Sequence, residues 1–140
     1  DHAAMKSTVS SPSPENELVR IASMIGCKVD IRGPRPTEKK VQQLLYAAMR
    51  EALTNAVRHA NATALFVSIS LNEADRCYYV TIRDNGKGGA VSVNEGSGLG
   101  SLRQRLEQEG AEMHVRCEDG VVLELVLHYR RNKDDYRTDC

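Results

Sequence analysis

Aromatic residues are nearly missing from this chain of 140: one Phe, five Tyr and no Trp. A core without them has to be aliphatic. Net charge is missing too, because 19 basic and 19 acidic residues cancel. That removes the electrostatic footprint expected of a protein whose main partner is nucleic acid or an anionic membrane. No apolar run approaches the ~18 residues that cross a bilayer, and the N-terminus lacks the basic-then-apolar layout of a secretory signal. Paired cysteines are absent as well: Cys27, Cys77, Cys117 and Cys140 stand far apart with no C-x-x-C. Three of them fall in strand-like runs, where Cys is usually a small buried hydrophobe. A reducing, cytoplasmic compartment and no sulfur-built metal site are the expectation.

What is present is one domain's worth of chain, enough to bury a single core. Residues 1–12 are small and polar, a linker or cloning-derived tail. Ser13-Pro14 predicts a helix start, with Ser as cap and Pro at the first helical position. Leu18, Ile21, Ala22 and Ile25 give its apolar stripe, and Gly26 stops it. "CKVDIRG" alternates as a strand, with Cys27, Val29 and Ile31 on one face. Thr37 is placed to cap a long helix from about Glu38 to Ala60, whose apolar face is Val41, Leu44, Leu45, Ala48, Ala52 and Ala56.

That long helix carries an oddity. In "REALTNAVRHA", Glu51, Asn55 and Arg58 fall on one side at ~100° per residue, bordering the apolar face, with His59 inside its margin. A solvated stripe would more often oppose the packed face, whereas a stripe at its rim suits one wall of a cleft. Two strands follow. "TALFVSISL" puts Leu65, Val67, Ile69 and Leu71 on one face. "CYYVTIRD" puts Tyr78, Val80 and Ile82 on one face, and the next residue in that register is Asp84. A carboxylate pointing with the core is costly unless something hydrogen-bonds it. Then comes "NGKGGAVSVNEGSGLG", six glycines in sixteen residues, followed by a helix over residues 99–109. "AEMHVRC" and "VVLELVL" flank "EDG" as a closing hairpin. Residues 13–128 form the expected domain, and residues 129–140 a charged tail.

The stripe, the core-facing carboxylate and the glycines that open a helix have one common explanation. Glycines let backbone approach phosphate closely, and a helix N-terminus supplies free N–H groups. A side-chain amide oxygen at Asn55 suits Mg²⁺, which is usually held together with waters and substrate phosphates. Asp84 is placed to accept a hydrogen bond from an exocyclic amine. The combination describes a purine nucleotide with its metal. It is not a Walker-type site, since no G-x-x-x-x-G-K-[ST] occurs, and "GSGLGS" lacks the strand-first setting and final Gly of a dinucleotide loop.

The bland readings are a solvated stripe for Glu51, Asn55 and Arg58, a core histidine for His59, a hairpin turn for "DNGKG" and a flexible linker for residues 86–100. A turn would not need Asp84 in the core register. A linker rarely runs straight into an amphipathic helix. Lys87, Arg103 and Arg105 read as exposed surface.

"EALTNAVRH" resembles the N box of the ATP-binding fold shared by gyrase, HSP90, histidine kinases and MutL; "DNGKG" resembles its G1 box and "GSGLG" its G2 box. Over about residues 15–128 the chain is most similar to the catalytic domain of sensor histidine kinases, in the subfamily with short ATP lids and helix-turn-helix response regulators. The resemblance implies an α+β two-layer sandwich, a mixed sheet covered on one face by three helices. It implies ATP and Mg²⁺ as ligands. Asn55 would bind the Mg²⁺, and Glu51 would stand near the γ-phosphate and the incoming nucleophile. Arg58 and His59 match N-box positions that approach phosphate. Asp84 would bind the adenine amine, with Gly86 and Gly88 shaping its pocket. Gly98, Leu99 and Gly100 would carry a lid, about residues 89–97, into the helix and place N–H groups at the phosphates.

The activity implied is transfer of the γ-phosphoryl group to a histidine on a separate dimerisation domain, and onward to a response regulator. The parent would be a homodimer, membrane-anchored or not, and the isolated domain a monomer. Two departures matter. The family often has Gly-Thr before its last strand, where this chain has Gly120-Val121, one hydroxyl fewer near adenine. A helical His followed by an acidic residue is missing, since His2, His59, His114 and His128 all lie in other contexts. A protein serine kinase acting as an anti-sigma factor, on the same fold, and a non-catalytic nucleotide-binding module remain as alternatives.

Overall fold

A computed structural model describes residues 13–59, 61–87 and 97–130. Helix α1 spans Pro14–Met24, with Ser13 as its cap: the Ser13 hydroxyl accepts from the Asn16 N–H at 3.1 Å. Strand β1 (Lys28–Arg32) follows, then helix α2 (Lys39–His59) and the strands β2 (Ala64–Asn72) and β3 (Cys77–Asp84). Helix α3 is Gly98–Gln108, and β4 (Glu112–Cys117) and β5 (Val121–His128) close the chain as a hairpin.

The five strands form one sheet in the order β1-β2-β3-β5-β4. Among the described strands, only the β1–β2 pair is parallel. A parallel pair cannot be joined by a tight turn, so the chain crosses over between them through α2. That crossover lays the longest helix across the sheet. Leu65, Val67 and Ile69 of β2, Val80 and Ile82 of β3 and Leu123, Leu125 and Leu127 of β5 point into one core with the apolar faces of the three described helices. The chain is thus an α+β two-layer sandwich with a mixed sheet. Every apolar position read off the long helix is buried, and Ala47, Met49 and Leu53 join them.

The only Phe, Phe66, lies on the outer sheet face, 45% exposed, so the core is aliphatic as its composition requires. Val122 shares that outer face by register yet is buried; across the ladder it pairs with Arg83 and Arg116, both bridged to Glu118. Cys27 and Cys77 are buried thiols.

Local differences from the sequence reading have local causes. Helix α2 begins at Lys39, one residue later than expected, because the Glu38 carbonyl accepts the first of its N–H groups, from Gln42 at 3.0 Å. Leu71 is on the predicted face but 37% exposed, at the end of β2. His59, in the last turn of α2, is exposed instead of packed at the margin of the apolar face. The tail expected from residue 129 is fastened at its root. There the Tyr129 ring stands 5.5 Å from that of Tyr78, and the Arg130 N–H donates to the Glu38 carboxylate at 3.2 Å. Residues 88–96, which hold Gly88 and most of the expected lid, lie outside the described residues, as do 1–12 and the remainder of the tail.

Candidate functional site

Asp84 ends β3 on the core side and is 3% exposed, the one charged residue buried among those described. Its carboxylate is held from the backbone. Oδ1 accepts from the Gly86 N–H at 2.8 Å, and Oδ2 accepts a long 3.4 Å contact from the Val121 N–H. Those bonds offset part of the cost of burial and fix the direction of the carboxylate. Gly120 makes the arrangement possible. It lies at φ +123°, where an added Cβ would stand 2.6 Å from the Asp84 carbonyl oxygen and 2.8 Å from Oδ1. Beneath the site, burial first and the Asp84 charge second push the Cys27 thiol above its ordinary pKa.

Asn85, next in the chain, turns the other way. Its Oδ1 accepts from the N–H groups of Thr63 and Ala64, both at 2.9 Å, and its Nδ2 donates to the Thr63 hydroxyl at 3.0 Å. It is a clamp between the start of β2 and the end of β3, and it keeps the Asp84 end of the strand from fraying. The sequence reading assigned Asn85 no role; its position after a core-register Asp at a strand end was the available signal.

Asn55 projects from α2 over the same place. Its Nδ2 donates to the Glu51 carbonyl at 2.9 Å and to the Glu51 Oε2 at 3.1 Å. This orientation leaves the Asn55 Oδ1 as the acceptor for an outside partner. The Glu51 carboxylate in turn packs against Gly98 at the start of α3, so closely that a Cβ there would be 2.1 Å from Oε2. Ser97 caps α3, its hydroxyl accepting from the Gly100 N–H at 2.9 Å. A serine placed just before the L-x-x-L repeat was the sequence signal for that cap, which the reading had put inside the glycines.

Asn55, Asp84, Leu99 and Val121 line one cavity with Ala52, Leu65, Ile82 and Leu123. Two polar groups in an otherwise apolar chamber are what selects and orients a flat heterocycle. Its volume here is about 10 Å³, against the ~300–1,000 Å³ typical of ligand pockets. Leu99 in that lining is 2% exposed. Gly86 and Gly100 are buried beside these groups, whereas Arg58 and His59 are exposed and do not line the cavity. The structure therefore gathers Glu51, Asn55, Asp84, Gly86, Gly98, Leu99 and Gly100, and leaves Arg58 and His59 at the margin. Gly88 lies outside the described residues.

The donor set suits a magnesium ion. No group of three His, Cys, Asp or Glu is gathered among the described residues. Mg²⁺ needs no such cage, because one or two protein oxygens plus phosphates and water complete its shell. Asn55 Oδ1, with the Glu51 carboxylate beside it, supplies such oxygens.

A sandwich whose buried carboxylate ends a central strand beneath an Asn-bearing helix defines an ATPase-type nucleotide-binding domain. Residues 40–131 match the family described as histidine kinase-, DNA gyrase B- and HSP90-like ATPase. The chain belongs to that family, and its region is the catalytic domain found in sensor histidine kinases. It is 31% identical over 88 residues to the sensor histidine kinase DesK of Bacillus subtilis (strain 168), covering 61% of this chain and 23% of DesK. With the sensor protein VraS of Staphylococcus aureus (strain COL) it shares 33% over 103 residues, 72% of this chain and 29% of VraS. The chain thus spans about a quarter of the length of these curated relatives. Among solved structures, the histidine kinase domain from Erythrobacter litoralis EL346 blue-light activated histidine kinase superposes with a TM-score of 0.58 at 25% identity. That match covers 79% of this chain and 58% of the other. No helix among the described residues is long and apolar enough to cross a membrane.

Proposed function

We propose that this chain binds ATP with Mg²⁺ in the cavity between α2 and the sheet and donates the γ-phosphoryl group to a histidine on a separate dimerisation domain. A response regulator would be the onward acceptor, as in two-component signalling. The observation that carries the nucleotide part is Asp84, the single buried charge among the described residues, held by backbone N–H groups beside an apolar cavity that it helps to line. A carboxylate fixed there accepts from the amino group of adenine and repels the carbonyl of guanine. Asn55 would hold the metal through Oδ1. Magnesium, when bound, neutralises phosphate charge. The sensor histidine kinases among the relatives support the histidine as acceptor.

The chain's own contribution is positioning. An imidazole nitrogen forms its bond to the γ-phosphorus as the bond from phosphorus to the β,γ-bridging oxygen breaks. ADP leaves with that electron pair, and the imidazole N–H proton is released. Glu51, which is bonded to Asn55 and lodged against Gly98, would stand near the γ-phosphate and the incoming nucleophile.

Calorimetric titration with ATP and with GTP, each with Mg²⁺ and with chelator, tests the binding half. Incubation with γ-labelled ATP and an added dimerisation domain tests the transfer half. The expected outcome is ATP selectivity, magnesium dependence and acid-labile label on the added domain alone. Equal binding of ATP and GTP, or label on this chain itself, would overturn the reading.

A further inference from the structure

Two cavities lie side by side along α2. The one lined by Asp84 and Asn55 is about 10 Å³. The other, a groove of about 370 Å³, opens between α2 and α3. Glu51 and Gly98 belong to the wall of the wide one. Asn55, one turn beyond Glu51, and Leu99, next after Gly98, belong to the wall of the small one. The meeting of Glu51 with Gly98 therefore stands where the open space ends and the closed one begins.

That meeting is close. A Cβ on Gly98 would fall 2.6 Å from the Glu51 Cδ and 2.9 Å from its Oε1, and closer still to its Oε2. The whole carboxylate thus lies in the space that glycine leaves. Oε2 also accepts from the Asn55 amide at 3.1 Å, which holds the side chain on α2 while its end rests on α3. Negative charge is favourable at the first residue of a helix, and the first turn of α3 carries no acid of its own. The far end of α3 is tied to α2 separately, by Lys40 and Glu109, N to O 2.6 Å. Both members of that pair are exposed, so it is the weaker tie.

We propose that the Glu51 carboxylate, seated on Gly98, is a gate: it parts the nucleotide cavity from the groove, and it leaves Gly98 as ATP enters. The inference rests on the reading under Proposed function and adds how nucleotide reaches that site. A triphosphate arriving at the start of α3 brings like charge against the carboxylate and is favoured by the same end of the helix. Once Glu51 has left, α3 is free to shift at this end, Leu99 moves with it, and the two spaces join. One side chain thus serves first as gate and then in the proposed transfer.

Gly98 makes the seat, and replacing it isolates the contact. Its backbone is helical, without the positive φ of Gly110 or Gly120, so alanine fits there without strain. The three atoms nearest the added methyl all belong to the end of the flexible Glu51 side chain. Gly98→Ala therefore evicts the carboxylate from α3 and keeps its charge.

The test is stopped flow of this chain with a fluorescent ATP analogue and Mg²⁺. Gly98→Ala and Glu51→Ala should each raise the plateau rate of nucleotide entry about tenfold, and the double variant no further, because both remove one contact. A rise shared by both cannot come from weaker repulsion, since Gly98→Ala retains the Glu51 carboxylate. Lys40→Gln, which cuts the other tie between the helices, should leave the plateau unchanged. Without nucleotide, the Gly100 and Ser101 amides, bonded to Ser97 in the first turn of α3, report on the same contact. They should exchange about tenfold faster in Glu51→Ala than in wild type or Lys40→Gln. An additive double variant, an equal rise with Lys40→Gln, a plateau unmoved or lowered by Gly98→Ala, or unchanged amide exchange would overturn the proposal. A chain that binds no nucleotide would remove the reading under Proposed function instead. The exchange of Gly100 and Ser101 would then still decide whether Glu51 holds α3.

Discussion

Gly120 lies against Asp84 so tightly that a methyl group on its α-carbon would stand 2.6 Å from one Asp84 oxygen and 2.8 Å from another. The backbone is at φ +123° there, a region open to glycine and strained for other residues. Gly120→Ala therefore combines backbone strain with a collision against the most constrained side chain in the core. It should destabilise by about 2–4 kcal/mol and lower Tm by roughly 10 °C. ATP affinity should fall further than stability alone explains, because the collision displaces Asp84. Calorimetric melting beside an ATP titration checks both.

Asp84→Asn keeps the shape and replaces one acceptor oxygen with a donor. One of the two N–H groups now bonded to the carboxylate must then face an NH₂. A stability loss of about 1–3 kcal/mol is expected, with at least about a tenfold loss of ATP affinity. Selectivity for ATP over GTP should shrink. A variant that still prefers ATP as strongly as wild type would remove Asp84 from base recognition.

Asn55→Ala should act through the metal. Alanine suits a helix interior, so propensity costs nothing. The Glu51 carboxylate loses its amide donor. Binding should weaken in Mg²⁺ and change little in excess chelator, measured by the same titration under both conditions. An identical loss with and without metal would falsify the assignment of Asn55 as ligand.

The cavity that Leu99 helps to line holds about 10 Å³, far less than a nucleotide base occupies. Opening has to precede full insertion. In stopped flow with a fluorescent ATP analogue, the observed rate should level off at high nucleotide concentration. Leu99→Ala should raise that plateau, since it shortens a side chain of the cavity lining, while costing about 2–4 kcal/mol of stability without nucleotide. A rate rising linearly to the highest concentrations in both proteins would mean that the cavity is already open in solution.

Burial and the nearby Asp84 charge raise the pKa of Cys27 in the folded chain. The sign follows from linkage. Folding favours the neutral thiol, so this contribution is complete below the unfolded value of about 9.0 and is lost as pH climbs through the folded value. The urea midpoint should fall on the alkaline side of 9.0, and Cys27→Ala should flatten that fall. At neutral pH an alkylating reagent should modify exposed Cys117 well before Cys27.

Much of this was legible in the residues because it follows from period and register. The apolar stripe of α2, the alternation in β2 and β3, and the core-facing placement of Asp84 each need only the geometry of one element. The family likeness supplied the three-helix layer. Pairing order was not legible: that β3 neighbours β5, with β4 at the edge, depends on contacts between segments far apart in sequence. Neither the Gly98–Glu51 contact nor the placement of Leu99 in the cavity wall can be read from one helix, since each depends on how α3 meets other elements. His59 shows the same limit from the other side. A helical wheel gives an angle and no depth, and at the end of α2 the inward angle leads to solvent.

The two outer strands of the sheet are β1 and β4. By register their side chains on the uncovered face are Lys28, Asp30 and Arg32 on one and Glu112, His114 and Arg116 on the other. Strands bordered in this way are poor templates for a further strand, because an incoming chain would have to bury charge to pair with them. A domain of this kind can therefore be held beside a second copy at very high local concentration without the two sheets fusing into one.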